Sequence, residues 1–224
     1  MQIAILNDTH CGVKNGSDIF LDYSDKFYSE IFFPHLVENG ITNILHLGDY
    51  FEHRKYVNYK VLKHNYESFI SKLYEYDIHM DIIPGNHDVY YKNTNELNSI
   101  ETILKQYSDR IHIHMNPVVK KYDELDVALV PWMCADNREE CMDFISTANA
   151  PILMGHLELG GFKLMANAPI KSHGMGMELF DRYEAVYSGH YHTKSTQGNI
   201  TYLGTQYELT WSDAGDPKYF HVLD

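Results

Sequence analysis

The chain has 224 residues, 44% hydrophobic and 13% aromatic, which suffices for one large α/β core and excludes an intrinsically disordered chain. Its 31 acidic and 18 basic residues leave a formal net charge of −13, which argues against a protein that grips nucleic acid with a basic surface of its own. A nucleic-acid enzyme whose hold on phosphate comes from metal ions or a partner stays open.

Three cysteines, Cys11, Cys134 and Cys141, form no C-x-x-C pair, so a reduced, cytoplasmic setting is expected. No apolar run approaches the roughly 18 residues of a membrane span. Met1 to Leu6 lack the basic start and long apolar core of a signal peptide and read as the first core strand.

In chain order, Gln2 to Leu6 predicts a strand followed by the loop Asp8-Thr9-His10-Cys11-Gly12. Leu21 to Glu38 predicts a helix from Phe27, Ile31, Leu36 and Val37, with a kink or a split into two pieces at Pro34 and a cap at Asn39-Gly40. Ile41 to Leu47 is a second strand ending in Gly48-Asp49, and Tyr56 to Tyr76 a second helix. A third strand around Ile78 and Met80 to Ile83 leads into Pro84 and Gly85-Asn86-His87-Asp88. Asn95 to Tyr107 is a third helix and Ile111 to Met115 a short strand, with His112 and His114 expected on its exposed face. This β-α-β-α-β order implies parallel strands with right-handed crossovers.

The second half predicts a hairpin from Val118 to Tyr122 and Val127 to Val130, then a helix from Asp136 to Ala148. Pro151 to Met154 is a strand ending in Gly155-His156; Leu157 to Gly176, poor in periodicity, predicts a long functional or mobile loop. Ala185 to Ser188 ends in Gly189-His190-Tyr191-His192. A Gly198-Asn199 hairpin and a last strand, Tyr219 to Leu223, complete the chain.

Five blocks thus stand at strand ends: Asp8-x-His10, Gly48-Asp49, Gly85-Asn86-His87-Asp88, Gly155-His156 and Gly189-His190-x-His192. Open α/β sheets place ligands at that edge. The i, i+2 spacing of Asp8/His10 and His190/His192 turns both side chains of each pair to one side of an extended segment. Two Asp, one Asn and four or five His suit manganese, iron, zinc or nickel rather than a sulfur-loving metal. That is enough for two ions sharing one carboxylate, which together bring the pKa of bound water down towards about 7.

The order D-x-H, GD, GNHD, GH, GHxH resembles that of the calcineurin-like metallophosphoesterase superfamily. Gly48 to Lys55, Val130 to Cys134 and Lys171 to Gly174 bring the resemblance nearest to the nuclease subunits of double-strand-break repair complexes, on the branch of T-even-like bacteriophages. The resemblance covers essentially the whole chain. It implies a four-layer α/β/β/α sandwich of two mixed sheets flanked by helices, forming one nuclease domain over residues 1–224.

By the same resemblance, Asp8, His10, Asp49 and His192 hold one metal, and Asp49 bridges to a second held by Asn86, His156 and His190. His87 is left to stabilise the transition state and protonate the leaving oxygen, which suits a histidine. The cofactor implied is two divalent ions, manganese first, with zinc, iron, nickel or magnesium open. Asp88 is expected to be a hydrogen-bonding loop residue. Arg54 and Lys55 are the candidate phosphate contacts, with His53 beside them, and the loop around His173 is a candidate substrate contact.

The chain departs from several relatives in carrying Glu52, followed by His53, where they have a histidine three residues after the bridging Asp. The capping and ATPase-binding region that usually follows the nuclease fold is expected to be absent before Asp224. The implied activity is a DNA phosphodiesterase, exonuclease and single-strand endonuclease, working with a coiled-coil ABC-type ATPase in the cytoplasm (the host's, if viral). Pairing of two copies through Tyr23 to Val37 and Tyr56 to Leu73 is also implied. A nucleotide or small-molecule phosphodiesterase on the same centre is the alternative. The G-D-x-V-D-R-G pattern of protein phosphatases is missing.

Overall fold

Along β1 (Ile3–Leu6) the side chains alternate between two buried environments, which is why the strand is apolar throughout. Ala4 and Leu6 pack with helices, while Ile3 and Ile5 face a second sheet. The computed structural model describes residues 2–165, 168–171 and 174–224. Ser172 and His173, and with them the expected substrate contact at His173, lie outside the described residues.

The first sheet has the order β11-β1-β2-β3-β4. Here β2 is Asn43–His46, β3 is His79–Ile82, β4 is Ile111–Ile113 and β11 is His221–Leu223. The strands β1 to β4 are parallel, and β11 returns antiparallel beside β1. The second sheet has the order β5-β6-β7-β8-β10-β9. It is formed by Val118–Tyr122 (β5), Leu125–Val130 (β6), Ile152–Gly155 (β7), Ala185–Ser188 (β8), Ser195–Gln197 (β9) and Ile200–Tyr202 (β10). Both hairpins form as expected, and β10 sits parallel to β8, leaving β9 at the edge. Three apolar layers separate four layers of structure: helices on the first sheet, sheet on sheet, and helix α4 (Arg138–Thr147) with its neighbouring loops on the second sheet.

Three helices differ in detail from expectation. Helix α1 spans 18–39 as Asp18–Lys26, a π-helical stretch Phe27–Phe32 and Phe33–Asn39. Pro34 has no N–H to offer the carbonyl four residues back, and the Phe33 N–H bonds to the Tyr28 carbonyl in a wider turn. The axis continues rather than breaking, and the buried stripe becomes Phe27, Tyr28, Phe32, Phe33 and Leu36. Ile31 and Val37, expected on that stripe, face outward at 54% and 53% exposure. Gly40, with φ 64°, closes the helix.

Helix α2 spans 59–75 as Tyr59–Asn65, π-helical Tyr66–Ile70 and Ser71–Glu75. It starts at Tyr59 rather than Tyr56 because the Asn58 side chain accepts from the Val61 N–H at 2.9 Å. Ser68 and Ser71 each donate to the carbonyl four residues back, which competes with the backbone ladder where it widens. Tyr59, at the first turn, is 90% exposed. Helix α3 (Ser99–Leu104) likewise starts at a side-chain cap, Asn98, which accepts from the Glu101 N–H at 2.7 Å.

His114 is the other departure. It stands 2.6 Å from the buried Asp81, which also accepts from Lys120 and Tyr122 at 2.9 Å, so an ionic cluster ties β3 and β4 to β5 where an exposed face was expected.

Candidate metal centre

The carboxyl ends of β1, β2, β3, β7 and β8 converge, and backbone bonds lace their loops together. The Asp8 N–H reaches the Gly48 carbonyl at 2.9 Å, the His10 N–H that of Asp49 at 3.0 Å, and the Gly189 N–H that of Gly155 at 3.1 Å. Gly48 has φ 87°, and a Cβ on it would lie 2.5 Å from the Gly85 nitrogen. A Cβ on Gly85 would lie 2.2 Å from Asp49 Oδ1, so that glycine is required for close approach rather than for a turn. Asp8, His10, Asp49 and His190 have φ of 49°, 43°, 54° and 83°, a conformation uncommon for residues with side chains.

Three groups of side chains offer ligand atoms within 4.8 Å of one another: Asp8, His10 and His192; His10, Asp49 and His87; Asp49, His156 and His190. His10 is common to the first two and Asp49 to the last two, Asp49 Oδ2 lying 3.7 Å from His10 Nε2 and 3.5 Å from His156 Nε2. Asn86 Oδ1 is 3.1 Å from His156 Nε2. All seven expected metal ligands are therefore brought together, and His87, expected outside the ligand set, stands with His10 and Asp49.

Neighbouring groups fix the rings. Leu47's carbonyl accepts from His156 Nδ1 at 2.7 Å, which leaves Nε2 toward Asp49. His87 donates from Nδ1 to the Glu52 carbonyl at 2.7 Å, and its backbone N–H donates to Asp49 Oδ1 at 2.7 Å. Asn7 and the His190 N–H donate to Asp8 Oδ2 at 2.7 and 2.8 Å. Glu52 Oε2 lies 2.7 Å from His10 Nδ1. This orienting role of Glu52, like that of Asn7, carries no signature in the sequence, because the partners come from different loops.

Asp88 behaves as expected: it is buried and accepts from the N–H groups of Gly85, Tyr50 and Phe51. Arg54 donates to the carbonyls of Val89 and Tyr91 at 2.8 and 3.0 Å and so braces the loop after β3. Lys55 Nζ lies 5.6 Å from the Tyr90 ring centre, and His53 stacks on Tyr56.

The charges are strongly coupled. Burial disfavours a proton on His10, but Glu52, Asp49 and Asp8 outweigh it and raise its pKa to about 9. His156 is raised to about 9 against burial, chiefly by Asp49, whose own carboxyl is held well below the usual range by His156 and His10 despite its burial. Burial, then His156, keeps His190 well below the ordinary imidazole range, and burial, then His10, lowers His192.

Buried Asp8 Oδ1, His10 Nε2, His190 Nε2 and His192 Nδ1 have no hydrogen-bond partner among the described residues. Buried atoms left without partners in a nitrogen and oxygen set fit divalent ions. A metal must displace protons from His10 and His156, so binding at neutral pH is expected to release about two protons per chain. Affinity should rise with pH until about 9, where the two rings lose their protons unaided. Calorimetry in buffers of different ionisation heat measures the release, and metal uptake without it would contradict the charge state.

The sequence matches no protein-family model. It is 33% identical over 235 aligned positions to exonuclease subunit 1 of Enterobacteria phage T4, an alignment covering 100% of this chain and 65% of that protein. The chain thus spans less than two thirds of that relative's length. Among solved structures, a purple acid phosphatase from yellow lupin seeds is similar in fold, with a TM-score of 0.52 and 12% identity over 87% of this chain and 38% of that one. The chain is thus similar in sequence, over its whole length, to the phage exonuclease subunit, and similar in fold to the purple acid phosphatase.

Proposed function

We propose that the chain is a two-metal-dependent DNA phosphodiesterase, an exonuclease and single-strand endonuclease of recombination and repair. The observation that carries this reading is the place of Asp49 between His10 and His156, in two groups of potential ligands, one of which also contains His87. The name of the phage relative supports exonuclease action, and the word subunit in it supports a partner, which we take to be a coiled-coil ABC-type ATPase.

When bound, two divalent ions, manganese first among them, supply an activated water and charge neutralisation at the phosphate. Asp8, His10, Asp49 and His192 would hold one ion, and Asp49, Asn86, His156 and His190 would hold the other. His87, its Nδ1 proton committed to the Glu52 carbonyl, presents Nε2 as the atom that passes a proton to the leaving oxygen. Lys55 is exposed and serves as a phosphate contact, with His53 beside it. The outward Ile31 and Val37 of α1 support a paired surface between two copies.

The net charge of −13 opposes DNA outside the centre. Weak binding by the isolated chain is expected, with efficient processing requiring the ATPase. The test is end-labelled single- and double-stranded DNA incubated with manganese, with and without that partner, alongside bis(p-nitrophenyl) phosphate. Diester turnover without any DNA cleavage in either condition would overturn the DNA reading. Sub-micromolar duplex binding by the chain alone in physiological salt would overturn the need for a partner.

A further inference from the structure

A cavity of about 250 Å³ opens beside the centre, with Trp132, Met133, Arg138, His156, Glu158 and Met175 in its wall. It includes one candidate metal ligand, His156, so whatever fills it lies beside the centre. Drug-sized ligands fill roughly 300–1,000 Å³, so the space suits a single base and not a base pair.

Its aromatic wall is rigidly held. The Trp132 N–H donates to the Pro84 carbonyl at 2.9 Å, and its own carbonyl accepts from Asn95 and Asn137 at 2.8 and 3.0 Å. The indole lies 5.3 Å from the His190 ring and 5.9 Å from that of His156. Met133 and Met175 add adaptable apolar surface.

Arg138 follows directly after Asn137. Its side chain is exposed and makes no ion pair or hydrogen bond with the described residues. Other cations around the centre are committed: Arg54 to two backbone carbonyls, Lys171 to Glu158, Lys218 to Asp213 and Asp216. The pairing with Lys171 also offsets the one carboxylate in the cavity wall, Glu158.

We propose that this cavity is the subsite for one unstacked nucleotide of single-stranded DNA next to the scissile bond, with Trp132 stacking on the base and Arg138 contacting a phosphate. The proposal rests on the DNA reading above and adds the place where one nucleotide of the strand is held and the residues that hold it. Aromatic stacking plus a cation along the backbone is the general means of holding single strands.

The experiment uses the Trp211→Phe chain, in which Trp132 is the remaining tryptophan, mixed with a short single-stranded oligothymidylate and read before turnover. Saturable quenching is expected, absent with a blunt duplex of equal length. Adding Arg138→Gln should weaken the quenching affinity about tenfold, as loss of a charge-assisted contact does. In turnover, Arg138→Gln should raise KM for the oligonucleotide at least about tenfold more than for bis(p-nitrophenyl) phosphate, which carries no neighbouring phosphate.

No quenching, equal quenching by duplex, or equal losses on both substrates would overturn the subsite. If the chain hydrolyses neither substrate, the functional reading falls, and the quenching result still decides whether this cavity takes a single strand.

Discussion

Replacing His87 by Asn is expected to lower kcat on a phosphodiester by about 10²–10⁴-fold, the usual contribution of a positioned acid or base, while both metals stay bound. His87 is held at both ends: Nδ1 on the Glu52 carbonyl, and the backbone N–H on Asp49 Oδ1. Its ring meets His10 edge-on at 4.7 Å. An asparagine amide can replace the bond to Glu52 but has no proton to give from the position of Nε2. Turnover and the metal content of the purified variant, measured together, decide the case. Loss of metal would make His87 a ligand, as its grouping with His10 and Asp49 permits, and near-normal turnover would remove it from catalysis.

Asp49→Asn should act on both ions at once. The carboxylate lies between His10 and His156, and its charge helps hold both rings near pKa 9 in the metal-free chain. Removing that charge should weaken both sites by more than the roughly 10–100-fold seen for groups that merely orient ligands. Turnover should fall with it. The ring pKa values of His10 and His156, followed by NMR without metal, should drop together, since burial then acts against less opposing charge. A variant that loses one ion and keeps the other at full affinity would contradict a shared carboxylate.

The strands were readable because both faces are buried: Ile3 to Leu6 and Ile152 to Gly155 are near-continuous apolar runs ended by glycine or a polar block. The metal blocks were readable because parallel strands deliver their ends to one edge. Helix starts were not, since Asn58 and Asn98 act by single side-chain bonds that periodicity does not register. A π-helical stretch adds one residue to a turn, which moved Ile31 and Val37 off the buried stripe. Arg54 illustrates a different limit: proximity in sequence marked it as a phosphate contact, but not that its Nε and Nη2 also brace the loop after β3 through the carbonyls of Val89 and Tyr91. Trp132 lies within the Val130 to Cys134 stretch, yet nothing in its spacing or in that of Arg138 marks either as lining a cavity beside the centre.

The left-handed backbone at Asp8, His10, Asp49 and His190 has a consequence for how this chain trades durability against activity. Such a conformation disfavours a residue with a Cβ by roughly 1–2 kcal/mol, so four of them weigh noticeably against a net stability of about 5–15 kcal/mol. Glycine at any of the four would relax the backbone and remove a ligand or its neighbour in the same stroke. Chelation, conversely, adds its free energy only to the folded chain. Stripping the ions would therefore leave the protein not merely idle but easier to unfold, and sequences drifting toward a sturdier fold would lose the centre first.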